Sequence, residues 1–159
     1  MRNTLKIWKI LLSGLGTGWL PLAPGTWGAA LATLMAWPLG LVPKDQAMLV
    51  LSLAVVVCFW IGVKGSDLLA AEWGKDPSQT VIDEMIGVWI ALLGGPLTWP
   101  HLLLAFVLFR FFDIAKPLGI RKMEHIGGGM GVMLDDALAG VYANIAVQLI
   151  GLIPYFHGF

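Results

Sequence analysis

Long apolar stretches, separated by short polar or glycine- and proline-containing breaks, dominate the chain. Five such stretches cover residues 27–42, 47–63, 86–97, 102–115 and 137–153, and the third extends back to Val81 if two acids are included. The breaks lie at residues 43–45, 64–80, 94–100 and 127–129. Because these breaks contain turn-forming residues, the pattern predicts a small all-α, multihelical, membrane-embedded bundle of about five spanning or half-inserted helices. A soluble bundle with a buried apolar core is the alternative.

The first 18 residues have a different pattern. Apolar and polar side chains form separate stripes on a helical wheel, namely Leu5, Trp8, Leu12 and Leu15, and Lys6, Lys9 and Ser13. This arrangement is typical of an amphipathic helix that lies in the membrane interface. Glycines interrupt the apolar run, so we do not expect cleavage as a signal peptide. We expect a single domain over residues 1–159, with an interfacial helix at 1–18 and a helical bundle at 19–159.

Composition favours a membrane protein and argues against several other classes. Of the 159 residues, 58% are hydrophobic and 13% are charged, against roughly 45–50% and about 25% in globular proteins. Ten basic and ten acidic residues cancel, and the chain lacks a basic tract, so we expect no nucleic-acid partner. The single cysteine, Cys58, cannot form an intrachain disulfide. Nothing in the sequence indicates an obligate protein partner.

Basic residues gather on one of the two faces that five alternating spans would create. Eight of the ten fall in the N-terminal segment and in the connections at residues 64–80 and 116–133. Lys44 alone falls on the opposite face, and Arg110 lies inside a span. Since basic connections remain in the cytoplasm, the first face is predicted to be cytoplasmic.

Five acidic residues fall at that same face. Asp83 and Glu84 begin the third span, Asp113 ends the fourth, and Asp135 and Asp136 begin the fifth. Acids this close to hydrocarbon are costly and often functional, and several in a small volume cannot all ionise without a cation. Mg²⁺, a hard cation with oxygen ligands, suits such a set. The sequence therefore predicts that these five acids form a metal site.

Simpler interpretations of the acids stay open. The helix dipole favours an acid at a helix N-terminus, which accounts for one acid of each pair. Asp113 lies at a helix C-terminus, but Arg110 and Lys116 are each three residues away and could form a local ion-pair network with it. Adjacent residues on a helix point about 100° apart, so one acid of each pair is expected to lie outside the immediate ligand set.

Candidate phosphate-binding groups lie at the same face. Lys116, which precedes Pro117 at a helix end, is the best-placed cation, and Arg110 is the second. Gly25 and Thr26, just before the first span, could present backbone N–H groups to an anion, although a plain turn with Thr26 as a helix cap is the alternative. The glycines at residues 127–131 also precede a helix, but no Gly-Lys-Ser/Thr follows them as in a Walker motif.

Two glycines lie one helical turn after the acids. Gly87 is four residues after Asp83, and Gly140 is four residues after Asp136. Small residues at this spacing allow close helix approach, or leave room for a ligand. We therefore expect their helices to pack closely beside the acids.

Four sequence motifs occur in a fixed order. They are PLAPGT at residues 21–26, DPS leading to VIDEMIG at 76–87, FRFFDIAKP at 109–117 and GGMGVMLDD through Ala139-Gly140 at 128–140. Together, from about residue 10 to 150, they resemble the phosphatidylglycerophosphatase A family. The chain departs from the family pattern at one position. Some relatives have a histidine immediately before the glycine pair, where this chain has Gly127, and His125 is two residues earlier. We therefore assign His125 no role.

The resemblance implies a small, Mg²⁺-dependent phosphatase of the bacterial inner membrane. Such an enzyme removes the terminal phosphate of phosphatidylglycerophosphate to give phosphatidylglycerol during phospholipid biosynthesis. Carried over by motif, it implies that the five acids hold metal and that Lys116 contacts the phosphate. Two alternatives are a phosphatase for another lipid phosphate, such as phosphatidic acid, and a small ion-coupled transporter.

Overall fold

The regular structure of this chain is helical throughout the described residues. A computed structural model describes residues 2–74, 77–117 and 119–152, which contain no β-strand. The six α-helices are α1 Arg2–Leu12, α2 Pro24–Ala36, α3 Lys44–Trp73, α4 Ile82–Leu92, α5 Trp99–Ala115 and α6 Gly128–Gly151. Short 3-10 helices cover Thr17–Trp19, Trp37–Leu41 and Ile120–Ile126. The predicted all-α class is confirmed; Lys75, Asp76 and the 153–159 tail lie outside the described residues.

Helix α4 is the centre of the bundle. It packs against α2, α3, α5 and α6, and nine of its 11 residues are buried. The indole N–H of Trp89 donates to the carbonyl oxygen of Ala32 at 3.0 Å, which ties α4 to α2. The Asn144 amide of α6 donates to three carbonyl oxygens at the end of α4, at 2.7–3.1 Å. These contacts fix the direction of α4 and hence the position of the acids at its start.

Fewer helices can cross a membrane than the sequence predicted. Within the described residues, two are long and apolar enough, namely Lys44–Trp73 and Gly128–Gly151. Helix α4, with 11 residues, is only about 16 Å long, against roughly 30 Å of bilayer hydrocarbon. It is apolar on all sides because other helices surround it, not because it faces lipid. The sequence predicted about five spanning or half-inserted helices, whereas only two of the described helices are long enough to be candidate spans.

Two predicted helix ends were wrong. Helix α3 continues through the polar residues after Val63 and ends at Trp73. Helix α6 begins at Gly128, in the glycine cluster that was expected to be a loop. Asp135 and Asp136 therefore lie about two turns inside α6, so the helix dipole does not explain their presence.

The N-terminal helix, α1, packs against α3. The expected apolar stripe is only partly an outer surface, because Leu12 is fully buried and Leu5 and Trp8 pack against the core. A Cβ atom at Gly65 of α3 would meet Leu12 and Trp8, so this glycine permits the close approach. The exposed apolar residues of α1 are instead Ile7, Ile10 and Leu11.

Candidate active site

Several helix termini meet at one end of the bundle. Pro24 begins α2, where the missing N–H of proline costs no helical hydrogen bond. The segment before α4 is fixed by the N–H of Val81, which donates to the Leu12 carbonyl oxygen at 2.9 Å. These arrangements place the start of α2, the start of α4 and the end of α5 beside the first half of α6.

Three carboxylates converge at this end of the bundle. Asp83, Glu84 and Asp136 each offer an oxygen atom, and these atoms lie within 4.8 Å of one another. Asp83 and Asp136 are buried, and Glu84 is half-buried. The sequence predicted that one acid of each pair would lie outside the immediate ligand set, whereas Asp83 and Glu84 both contribute an oxygen atom to this group. In the first turn of α4 both side chains reach the same region, and the Asp83 carboxylate also accepts the Glu84 N–H at 3.1 Å.

Asp113 lies next to this group and binds Arg110. The guanidinium of Arg110 donates to the Asp113 carboxylate one helical turn away, as the ion-pair interpretation predicted. Its Nη1 atom also lies 3.9 Å from Oε1 of Glu84. The ion pair is therefore part of the acidic cluster and not separate from it.

Lys116 binds the fifth acid. Its ammonium donates to Oδ2 of Asp135 at 2.7 Å. Lys116 therefore connects the end of α5 to α6. Lys116 caps α5 in the left-handed conformation, with φ of 44°, and Pro117 follows. Asp135 and Asp136 point to different partners, as their adjacent positions on a helix predicted.

Gly25 lies between Glu84 and Arg110. A Cβ atom at this position would overlap Oε1 of Glu84 and would lie 3.2 Å from Nη1 of Arg110. Only glycine leaves room for both groups at the start of α2. Thr26 is the neighbouring half-buried residue, and its N–H donates to the Ala23 carbonyl oxygen at 3.0 Å. Ala23 is the N-cap of α2, so the alternative of Thr26 as the cap was wrong.

The expected close packing of α4 on α6 is present. A Cβ atom at Gly140 would meet the backbone carbonyl of Gly87. A Cβ atom at Gly87 would meet the Phe109 ring and would lie 2.9 Å from the carbonyl oxygen of Asp136. The crossing lies one turn from the acids on both helices, so these glycines allow Asp136 to approach the start of α4.

Asp67 is a polar contact that the sequence did not predict. Its Oδ1 atom accepts the N–H of Gly129 at 2.6 Å, so a carboxylate from α3 satisfies a free N–H group at the start of α6. The Gly129 N–H, which belongs to the glycine cluster considered above for phosphate binding, is therefore already hydrogen-bonded to Asp67. An acid 62 residues away in sequence gives no local signal of this contact.

Burial changes the acidity of the carboxyls on α4. Burial raises the pKa of Asp83 well above its ordinary value, and the adjacent Glu84 charge raises it further. Burial also raises the pKa of Glu84, while the Asp83 hydrogen bond and the Arg110 charge oppose this change. Without a cation, the cluster therefore favours bound protons.

The donor set fits a hard divalent cation. All three converging groups are carboxylates, the ligand type that Mg²⁺ prefers. Oε2 of Glu84 is buried and lacks a hydrogen-bond partner among the described residues, and such an atom is costly unless something binds it. By contrast, His101 is buried in the first turn of α5, at the other end of that helix from Asp113. His125 lies on the surface, with its Nδ1 atom 3.1 Å from the Arg121 carbonyl oxygen. Neither of these histidines joins the acids.

Comparisons with known proteins agree with these motifs. Residues 10–151 match the family described as phosphatidylglycerophosphatase A. Proteins of that name from Haemophilus influenzae and Escherichia coli are 39% identical over 141 residues and 37% identical over 147 residues. The alignments cover 87% and 91% of this chain, and 85% and 83% of the relatives.

A third relative has a different name. A Bacteroides thetaiotaomicron protein named as a phosphatidylinositol-3-phosphatase is 48% identical over 142 residues, which cover 86% of this chain and 89% of the relative. No solved structure matches the chain. The family match spans the acidic cluster, Gly25 and Lys116. The chain therefore belongs to the phosphatidylglycerophosphatase A family and is a phosphoric monoester hydrolase.

Proposed function

We propose that the protein hydrolyses the terminal phosphomonoester of phosphatidylglycerophosphate, giving phosphatidylglycerol and inorganic phosphate in phospholipid biosynthesis. The observation that carries this proposal is the convergence of Asp83, Glu84 and Asp136 beside two cationic side chains, Arg110 and Lys116. The family match and the two relatives named phosphatidylglycerophosphatase A support the substrate.

The acidic residues would hold Mg²⁺. Asp83, Glu84 and Asp136 are the proposed ligands, and bound Mg²⁺ supplies Lewis-acid polarisation of a phosphoryl oxygen. The catalytic set that we propose also includes Asp113, which orients Arg110, and Asp135, which orients Lys116.

The cationic residues would bind the phosphate. Lys116 and Arg110 neutralise negative charge that develops on its oxygens, and the backbone at Gly25 and Thr26 lines the approach from α2. A carboxylate of the 83–84 or 135–136 pair accepts the proton of the attacking water. The water oxygen bonds to phosphorus, the ester P–O bond breaks, and the released alkoxide takes up a proton.

A lipid substrate agrees with the outer surface of the bundle. Large apolar side chains of α3, including Leu53, Val56, Val57 and Trp60, are each more than half exposed. A soluble monomer rarely exposes so wide an apolar surface. We propose a multi-pass location in the bacterial inner membrane, with the acidic cluster at the cytoplasmic face because the basic residues of the sequence favour that side.

A second substrate has a specific observation in its favour. The relative named as a phosphatidylinositol-3-phosphatase is 48% identical to this chain. A phosphatidylinositol 3-phosphate headgroup also carries a phosphomonoester, on a bulkier alcohol than that of phosphatidylglycerophosphate. The acidic cluster would perform the same chemistry on either headgroup, so only a direct comparison of substrates distinguishes the two functions.

The experiment is phosphate release in detergent micelles from three lipids: phosphatidylglycerophosphate, phosphatidylinositol 3-phosphate and phosphatidic acid. Each is assayed with Mg²⁺ and with a chelator. We expect Mg²⁺-dependent release with the highest kcat/KM for phosphatidylglycerophosphate. A higher kcat/KM for the inositol lipid would move the assignment to the second substrate. A folded protein that releases phosphate from none of them would favour the ion-coupled transporter, which ion flux into liposomes would test.

A further inference from the structure

An apolar groove separates α2 from α5 on the outer surface of the bundle. Its volume is about 200 Å³, larger than an apolar cavity of about 150 Å³ that holds benzene. The Thr33 hydroxyl in its wall already donates to the Ala29 carbonyl oxygen at 2.9 Å, so this group does not need water. The groove therefore suits an apolar ligand. Its lining consists of Ala30, Thr33 and Leu34 of α2, and Trp99, Leu103 and Phe106 of α5.

One end of the groove leads to the candidate active site. Arg110 follows Phe106 by four residues, so it continues the same face of α5. Thr26 precedes Ala30 by four residues and continues the same face of α2. Gly25, beside Thr26, is the point where α2 approaches Arg110. The two walls of the groove therefore lead to Arg110, which we propose to bind the phosphate, and to Gly25 beside it.

Trp99 lines the other end of the groove. The rings of Trp37 and Trp99 pack together with centroids 5.3 Å apart. From Trp99 to Arg110 the helix rises about 16 Å at 1.5 Å per residue. One leaflet of a bilayer, half of a roughly 30 Å hydrocarbon core, has a thickness of about 15 Å. On α5 the groove itself runs from Trp99 to Phe106, about 10 Å, and the next helical turn reaches Arg110. The groove and this turn together thus match the length of one acyl chain that extends from a headgroup at the site.

We propose that the groove between α2 and α5 binds one acyl chain of the phospholipid substrate and thereby aligns the headgroup phosphate with the acidic cluster. This inference rests on the proposed function and identifies the part of the protein that recognises the lipid tail. The ligand is a saturated or unsaturated hydrocarbon chain, and the phosphate at its head distinguishes the substrate from other lipids of the bilayer.

The test fills the groove with a ring. Ala30→Phe places an aromatic side chain in the wall, and Val56→Phe is a matched control on the exposed face of α3. Each variant is assayed on a long-chain phosphatidylglycerophosphate and on a water-soluble short-chain analogue with the same headgroup. The ratio of the two kcat/KM values is compared, because this ratio cancels any loss of folded protein.

We expect Ala30→Phe to lower the ratio of long-chain to short-chain kcat/KM by at least about tenfold, since burial of two methylene groups corresponds to about this factor. The Val56→Phe ratio should stay within about twofold of wild type. An unchanged ratio for Ala30→Phe would overturn the proposal, because surrounding bilayer lipids would then be the only occupants of the groove.

A second measurement uses wild-type protein and does not depend on turnover. A long-chain substrate analogue with a photoreactive group at the end of one acyl chain is cross-linked in micelles. Labelling of Trp37, Trp99 or Leu103 would support the groove, and labelling spread over the outer faces of α3 and α6 would contradict it. If neither the long nor the short substrate is hydrolysed by wild type, the proposed function fails, while the labelling pattern still decides the groove.

Discussion

Replacing Gly25 with alanine inserts one methyl group between the Glu84 carboxylate and the Arg110 guanidinium. The added Cβ would lie 2.8 Å from Cδ of Glu84, whereas ordinary van der Waals contact begins at 3.4 Å. The overlap with Oε1 of Glu84 is closer still, so the carboxyl group must move by at least about 0.6 Å (3.4 − 2.8 Å). Because Glu84 is a proposed metal ligand and Arg110 a proposed phosphate ligand, this shift falls on both parts of the site.

The expected loss of activity is large. A misplacement of about 1 Å in catalytic geometry can cost about 100-fold in rate, so we expect Gly25→Ala to lower kcat/KM for phosphatidylglycerophosphate by about 30- to 100-fold. The free energy of unfolding should also fall, by about 1–3 kcal/mol, because overpacking typically costs this much; for a chain of this size the decrease in Tm is about 2–12 °C.

The assay is Mg²⁺-dependent phosphate release in micelles, with thermal unfolding of the same samples. Gly151→Ala is the matched control, because a Cβ atom at Gly151 meets nothing within 4 Å. This control should keep full activity. Gly25→Ala activity within about threefold of wild type, in a folded protein, would refute the reasoning that the glycine makes room for the two charged groups.

Three further predictions follow from the same contacts. Asp136→Asn removes a proposed ligand and should lower kcat/KM by about 100-fold or more, as measured by phosphate release; a loss below tenfold would argue against this role. In chelator, wild type should lose thermal stability as the pH rises above about 4, since the folded state binds the protons of Asp83 and Glu84 more tightly than the unfolded state. This dependence should be weaker in Asp83→Asn. Asp67→Ala removes the cap of α6 and should cost about 1 kcal/mol, a decrease of about 2–4 °C in Tm, with a smaller effect on kcat/KM than Asp136→Asn; an unchanged Tm would contradict the capping role.

The sequence predicted the acids of the site better than the extent of the helices. Asp83, Glu84, Asp113, Asp135 and Asp136 lie together because helix direction alternates along the chain, and this alternation follows from the order of apolar stretches and breaks. Their division into a converging group and two ion-paired groups depends on helix crossing, which the spacing of residues does not specify.

Helix length was harder to predict for a physical reason. A helix that is buried on every side, such as α4, has the same apolar composition as one that faces lipid. The sequence did not predict the long-range hydrogen bonds either, because the bond between Asp67 and Gly129 and the bonds from Asn144 to α4 join residues far apart in sequence. Only the packed structure brings these pairs together.

The central claim is that the converging carboxylates hold the divalent cation that hydrolysis requires. The most direct measurement is a calorimetric titration of Mg²⁺ into the purified protein in detergent, beside Mg²⁺ activation of phosphate release. Asp83→Asn is compared with Asp45→Asn, which neutralises an exposed acid at the start of α3. We expect Asp83→Asn to lose both Mg²⁺ binding and phosphate release, and Asp45→Asn to keep both. Phosphate release by Asp83→Asn at the wild-type rate and with wild-type Mg²⁺ dependence would show that these carboxylates do not hold the required cation.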